Sequence, residues 1–125
     1  DSYKVVGDEN YLFKAILSIY DNAILYTQNT GHISVTTYFK NDFVIVEIQD
    51  TGIGIAIEEL SKIFQRFYKV NGARTYNSSG SGLGVTMAKL IIEKHGGRII
   101  VESILGHGST FKIYLPSADK AKNLN

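Results

Sequence analysis

The sequence predicts an α+β fold: a two-layer sandwich in which one mixed, mainly antiparallel sheet is covered on one face by helices. Three observations lead there. Two long segments carry apolar residues at steps of three and four, the period of an amphipathic helix. Two pairs of segments alternate apolar and polar residues around short turns, as hairpins do. A polar, glycine-rich stretch separates the second helix from the elements before it. Helices and hairpins grouped this way, without a regular strand–helix alternation, favour α+β over a parallel α/β sheet. At 125 residues, against ~150 per domain, the chain is one domain. We assign 1–116 to that domain and 117–125 to a polar C-terminal tail.

Tyr3 to Val6 reads as a short strand, and Asp8 as the cap of the helix that follows. From Asn10 to about Thr27, Leu12, Phe13, Ile16, Leu17, Tyr20, Ala23 and Ile24 share one helical stripe. Ile33–Phe39 and Phe43–Gln49 alternate around Lys40-Asn-Asp42 and form a hairpin. Ile57–Phe64 is a short helix with Glu58 and Glu59 in its first turn, where the helix dipole favours acids. Tyr68–Gly82 lacks periodicity and is long enough for a functional lid. Leu83 to His95 is the second long helix, stopped by Gly96-Gly97. Arg98–Ile104 and Ser109–Leu115 form a second hairpin around Gly106-His-Gly108, and the tail after Pro116 reads as frayed.

Composition removes several function classes. Thirteen basic against twelve acidic side chains leave +1, which argues against association with DNA, RNA or an anionic membrane driven by bulk charge. There is no cysteine, hence no disulfide, no Cys-type zinc site and no thiol catalysis. No apolar run approaches the ~18 residues of a membrane span, and no signal-peptide pattern opens the chain. The first residue is Asp1, not Met, as in a piece cut from a longer protein.

The chemistry concentrates in glycine clusters: Asp50-Thr-Gly-Ile-Gly54, Gly80-Ser-Gly-Leu-Gly84 and Gly106-His-Gly108. A glycine-rich loop running into a helix offers free amides and the positive end of a dipole, which suits phosphate. Gly80 to Gly84 has that layout. Common phosphate motifs are absent: Gly82-x-Gly84-x-x-Met87 lacks the third glycine of a dinucleotide fingerprint, and there is neither a P-loop nor a protein-kinase signature. Asp50 ends a strand before a glycine turn, where a carboxylate either accepts from a ligand amine or braces the turn itself. Asn22 sits mid-helix among apolar neighbours, where its amide requires a partner: a structural hydrogen bond, a ligand, or Mg²⁺ completed by phosphate oxygens and water.

Asp21-Asn22-Ala23, Asp50-Thr-Gly-Ile-Gly54, Phe64-Gln-Arg-Phe-Tyr68, Gly80-Ser-Gly-Leu-Gly84 and Gly106-His-Gly-Ser-Thr110 stand in that order. The pattern resembles the ATP-binding catalytic domain of bacterial two-component sensor histidine kinases, with its N box, first glycine box, F box, second glycine box and final glycine turn. It covers roughly residues 3 to 116. The resemblance implies the Bergerat ATP-binding sandwich shared with gyrase, Hsp90 chaperones and MutL. It also implies ATP and Mg²⁺ as cofactors. Asn22 would be the metal ligand, and Asp50 would bond the adenine amino group. Gly52 and Gly54 would shape the adenine pocket, and Tyr26 would pack on the base. Gly80, Gly82, Leu83 and Gly84 would place amides on the phosphates, with Lys69 nearby. Thr110 would support the adenine site through a water. Phe64 and Phe67 would anchor the lid.

The implied activity is transfer of the γ-phosphoryl group to a histidine on a separate dimerisation domain. None of His32, His95 and His107 is followed by an acidic residue, so all three read as structural or surface residues. The implied partners are that phosphoacceptor domain and a downstream response regulator. No nucleic acid and no membrane contact by the domain itself are expected, and the need for ATP implies a cytoplasmic location within a membrane-anchored sensor. Family members carry a helix and a strand before the position of Tyr3; their truncation would leave an open strand edge. Three positions depart from the pattern: Ser18 where a second asparagine is usual, Leu25 where lysine is common, and, trivially, Ala56 where proline is normal; the first two bear on Mg²⁺ binding and transfer. Those two keep open an alternative, a degenerate ATP-binding or partner-docking module without kinase activity. A water-activating ATPase ranks last, because serine at position 18 cannot replace its glutamate base.

Overall fold

The computed structural model describes residues 4–28, 30–65 and 84–123. Its elements are α1 (Glu9–Tyr26), β1 (Ile33–Lys40), β2 (Phe43–Asp50), α2 (Ile57–Leu60), α3 (Gly84–Lys94), β3 (Arg98–Ile104), β4 (Gly108–Pro116) and α4 (Ala118–Asn123). The strands form one sheet in the order β1-β2-β4-β3. Every neighbouring pair is antiparallel.

Most of the predicted elements are present, but the buried face of α1 is Leu12, Ala15, Ile19 and Ala23, whereas Phe13, Leu17 and Ile24 of the predicted stripe are exposed. The Asp8 carboxylate accepts the Tyr11 amide at the start of α1, as a helix cap should. Asn41 and Asp42, with φ of 53° and 68°, make the tight turn between β1 and β2. The Gly96 and Gly97 amides return to the Glu93 and Ile92 carbonyls, a Schellman closure of α3. Of the predicted strand at Tyr3–Val6, Val5 makes a single antiparallel bridge to Ser117; Tyr3 lies outside the described residues.

Alternation gives the sheet two unlike faces. Ile48, Phe111, Ile113 and Leu115 are buried on the side covered by α1 and α3, where they meet Leu12, Ala15, Ile19, Ala23, Ala88 and Ile92, and Val44 is buried on the same face. The opposite face is polar, with Tyr38 bonded to Glu47 and Lys112 paired with Glu102 at 2.9 Å. Ile45 is fully buried on that face. It is flanked by Tyr38 and Tyr114 in register, and the Arg98 guanidinium lies 4.5 Å from the Tyr114 ring and 5.6 Å from that of Phe43.

Two expectations are corrected. The short helix after the first glycine box ends at Leu60, and residues 61–64 are turns, with the Lys62 and Gln65 amides reaching back three residues to Glu59 and Lys62. The tail is not frayed from Pro116: Ala118–Asn123 is helical. Buried Ser117 caps it by accepting the Lys120 amide. Backbone bonds from Ser117 to Asp42 and from Ala118 to Lys4 fasten its start to the sheet. Polarity misled the reading here, because anchoring comes from backbone groups and one serine.

His95 joins the far ends of the two long helices. Its Nδ1 lies 2.7 Å from the Ile91 carbonyl, and its Nε2 accepts the Asp8 amide at 3.0 Å. The carbonyl can only accept, so Nδ1 donates in that contact. The structural reading of His95 holds.

Candidate nucleotide site

The site lies at the end of the sheet where β2 finishes and β4 begins. Antiparallel register sets Asp50, on the last position of β2, opposite Ser109. Asp50 is 5% exposed. Its Oδ1 accepts the Gly52 amide at 2.8 Å and the Ser109 amide at 3.3 Å. Burial pushes its pKa above the ordinary carboxylate value of 3.8, and the two amide donors oppose that shift. Both amides fall on one oxygen, Oδ1, which braces the turn.

The first glycine box is clasped from two sides. The Ile53 amide donates to the Tyr26 carbonyl at the end of α1, and the Ile53 carbonyl accepts the Gly106 amide from the β3–β4 turn. Gly54 and Gly108 have φ of +72° and +120°, a region that L side chains avoid. A Cβ on Gly54 would also run into the Ile104 carbonyl, and one on Gly108 into that of Asp50. The glycines here are required by close backbone approach.

Along α1, Ser18, Asn22 and Tyr26 follow at steps of four and so share a face; each is half-buried. Ser18 lies beside Gly84, the first residue of α3: a Cβ there would stand 3.6 Å from that of Ser18. The N box and the end of the second glycine box thus meet. Phe64 packs against the core, and its carbonyl accepts the Thr86 hydroxyl at 2.8 Å. Lys69, Gly80, Gly82, Leu83 and Phe67, with the predicted lid, lie outside the described residues.

Thr110 is not brought to this site. It pairs with Gln49 and Glu102, one step from Ser109, and alternation turns it to the polar outer face with Lys112 and Tyr114. The hydroxyl on Asp50's face is that of Ser109. Ser103 on β3 stands next in the same row, with its Oγ 2.8 Å from that of Ser109. The reading by motif missed both serines. Parity carried the signal, since Ser109 falls in phase with Phe111, Ile113 and Leu115, and Asp50 with Ile48 and Val44.

Among the described residues no group of three or more His, Cys, Asp or Glu side chains could hold a metal. No helix of the described residues is long and apolar enough to cross a membrane.

Comparisons with known proteins identify the family and the fold. Residues 7–119 match the family model for histidine kinase-, DNA gyrase B- and HSP90-like ATPases. The chain is 43% identical over 110 residues to the sensor histidine kinase RppB of Synechocystis, covering 88% of this chain and 24% of that protein. It is 44% identical over 112 residues to the sensor protein SrrB of Staphylococcus aureus, covering 90% of this chain and 19% of that one. Among solved structures, the mycobacterial sensor histidine kinase MprB superposes with a TM-score of 0.82 at 32% identity, over 91% of this chain and 77% of that chain. Full-length ShkA in complex with AMPPNP superposes at 0.76 with 27% identity, over 91% of this chain and 23% of that chain.

Proposed function

We propose a function from one premise: the chain belongs to the histidine kinase-, DNA gyrase B- and HSP90-like ATPase family, as the catalytic ATP-binding domain of a sensor histidine kinase. On that premise it binds Mg-ATP and supplies the γ-phosphoryl group to a histidine on a separate dimerisation domain. A response regulator then takes the phosphoryl group onward. The chain spans about a quarter or less of the curated relatives it matches, and the remainder of a parent kinase would supply the histidine. The domain would work in the cytoplasmic part of that sensor.

The observation that carries the reading is the buried Asp50 carboxylate, braced through one oxygen and walled by glycine turns. A buried acceptor of this kind recognises an amine, and the adenine amino group is one. Around it, Gly52, Gly54 and Ser109 would shape the base pocket and Tyr26 would pack on the ring. Asn22 would hold Mg²⁺, which when bound offsets phosphate charge. Gly84, with Gly80, Gly82 and Leu83 before it, would lay amides on the phosphates, and Lys69 would add a cation. Phosphoryl transfer is mostly positioning and charge stabilisation, and these residues would supply both, the nucleophile being the histidine of the separate dimerisation domain.

Calorimetric titration with ATP, with and without Mg²⁺, tests the reading. Binding that requires Mg²⁺ and weakens in both Asn22→Ala and Asp50→Ala supports it. Binding indifferent to Mg²⁺ and to Asn22 favours a nucleotide-holding module without transfer, the alternative that Ser18 and Leu25 raise. No binding by the folded wild-type chain refutes it.

A further inference from the structure

Three polar side chains form one row across the nucleotide end of the sheet: Asp50 on β2, Ser109 on β4 and Ser103 on β3. The Ser103 hydroxyl has a single proton and three contacts. The Ile55 amide donates to it at 2.7 Å. It donates to the Gly108 carbonyl at 2.9 Å, an oxygen with no proton to give. Its proton is therefore used, and the contact with Ser109 Oγ at 2.8 Å must be donated by Ser109. That leaves the Ser109 oxygen with lone pairs only. Ionised Asp50 beside it also only accepts.

We propose that Ser103 is a positioning residue that fixes the polarity of the base subsite. By taking the Ser109 proton it makes Ser109 and Asp50 two adjacent acceptors, a pair that selects a 6-aminopurine and rejects a 6-oxopurine. A 6-amino group has two hydrogens, one for each acceptor, whereas a 6-oxo group sets a third acceptor against them. The inference rests on the reading of this pocket as an ATP site and names the residue that sharpens its choice of base.

The test is calorimetric titration with ATP and with ITP, alongside melting curves, for wild type, Ser103→Ala, Ser103→Thr, Ser109→Ala and the Ser103→Ala/Ser109→Ala double variant. Wild type prefers ATP. Ser103→Ala frees the Ser109 hydroxyl to turn and donate to a 6-oxo group, so the ATP:ITP ratio narrows about tenfold, or 1.4 kcal/mol. Ser103→Thr keeps the hydroxyl and restores the ratio. Ser109→Ala leaves the Ser103 bonds to Ile55 and Gly108 in place and narrows the ratio by weakening ATP; on that background Ser103→Ala adds nothing further. A folded Ser103→Ala with a ratio within about twofold of wild type overturns the proposal, as does an unchanged ratio in Ser109→Ala, which also decides the matter if Ser103→Ala does not fold. A wild type that binds both nucleotides equally refutes this inference alone, whereas one that binds neither refutes the ATP site itself.

Discussion

Two rows of side chains, two residues apart on the same three strands, do opposite things. Ile48, Phe111 and Val101 cross β2, β4 and β3 in register, and Ile48 and Phe111 are buried beneath the helices. The next row on the same face is Asp50, Ser109 and Ser103, equally in register, with Asp50 and Ser109 buried and Ser103 half-buried. The apolar row stabilises the fold by removing hydrocarbon from water. The polar row costs desolvation, offset by bonds to Gly52, Ile55 and Gly108. One backbone lattice thus supports a stabilising row and a row proposed to recognise the base, separated by a single pleat. A substitution in each should move different observables.

The largest effect belongs to the apolar row. Phe111→Ala should cost about 3–5 kcal/mol, read as a lower urea midpoint. If it cost less than about 1 kcal/mol, the apolar row would not be the seat of stability. Gly54→Ala comes next: positive φ and the Ile104 carbonyl both oppose a Cβ, and about 1–3 kcal/mol of strain is expected, with nucleotide affinity falling too. The joint loss separates it from Phe111→Ala at equal stability. His95→Phe keeps a ring but removes the bonds to Asp8 and Ile91. It should cost about 1–2 kcal/mol and leave nucleotide affinity unchanged in the folded protein, because the junction is at the far end of α1.

The smallest effect is a pH dependence, and its sign is informative. Asp50 holds its proton above the ordinary value of 3.8 because it is buried. In the window from that value up to its raised one, the folded state binds more protons than the unfolded state, so stability falls as pH rises. Nucleotide affinity should rise over the same window as the carboxylate becomes an ionised acceptor. Urea midpoints and titrations at a series of pH values check both slopes, and Asp50→Asn should remove the stability slope.

Much of this was legible in the sequence, because it depends on local rules. Steps of three and four from Leu12 to Ile24 place α1, alternation places all four strands, and the glycine clusters mark where backbone must approach backbone. The motif order identified the family, and of its residues the structure joins Asp50, Gly52 and Tyr26 around the first glycine box. What was missed depends on pairing between strands. Ser109 and Ser103 belong to the site because of register with Asp50, and a motif read along one strand selected Thr110 on the wrong face. The helix after Ser117 was missed because its anchoring comes from Asp42 and Lys4, distant in sequence.

The central claim is that Asp50 is held at the cost of desolvation for the sake of a ligand amine. Calorimetric Mg-ATP titration of wild type and Asp50→Asn, each with a melting curve, tests it most directly. Asparagine keeps an oxygen for the Gly52 and Ser109 amides but removes the buried charge. The account predicts a melting temperature equal to or above that of wild type, with ATP affinity reduced at least tenfold, about 1.4 kcal/mol. A variant that melts lower yet binds ATP as wild type does would make Asp50 a structural brace and contradict the account.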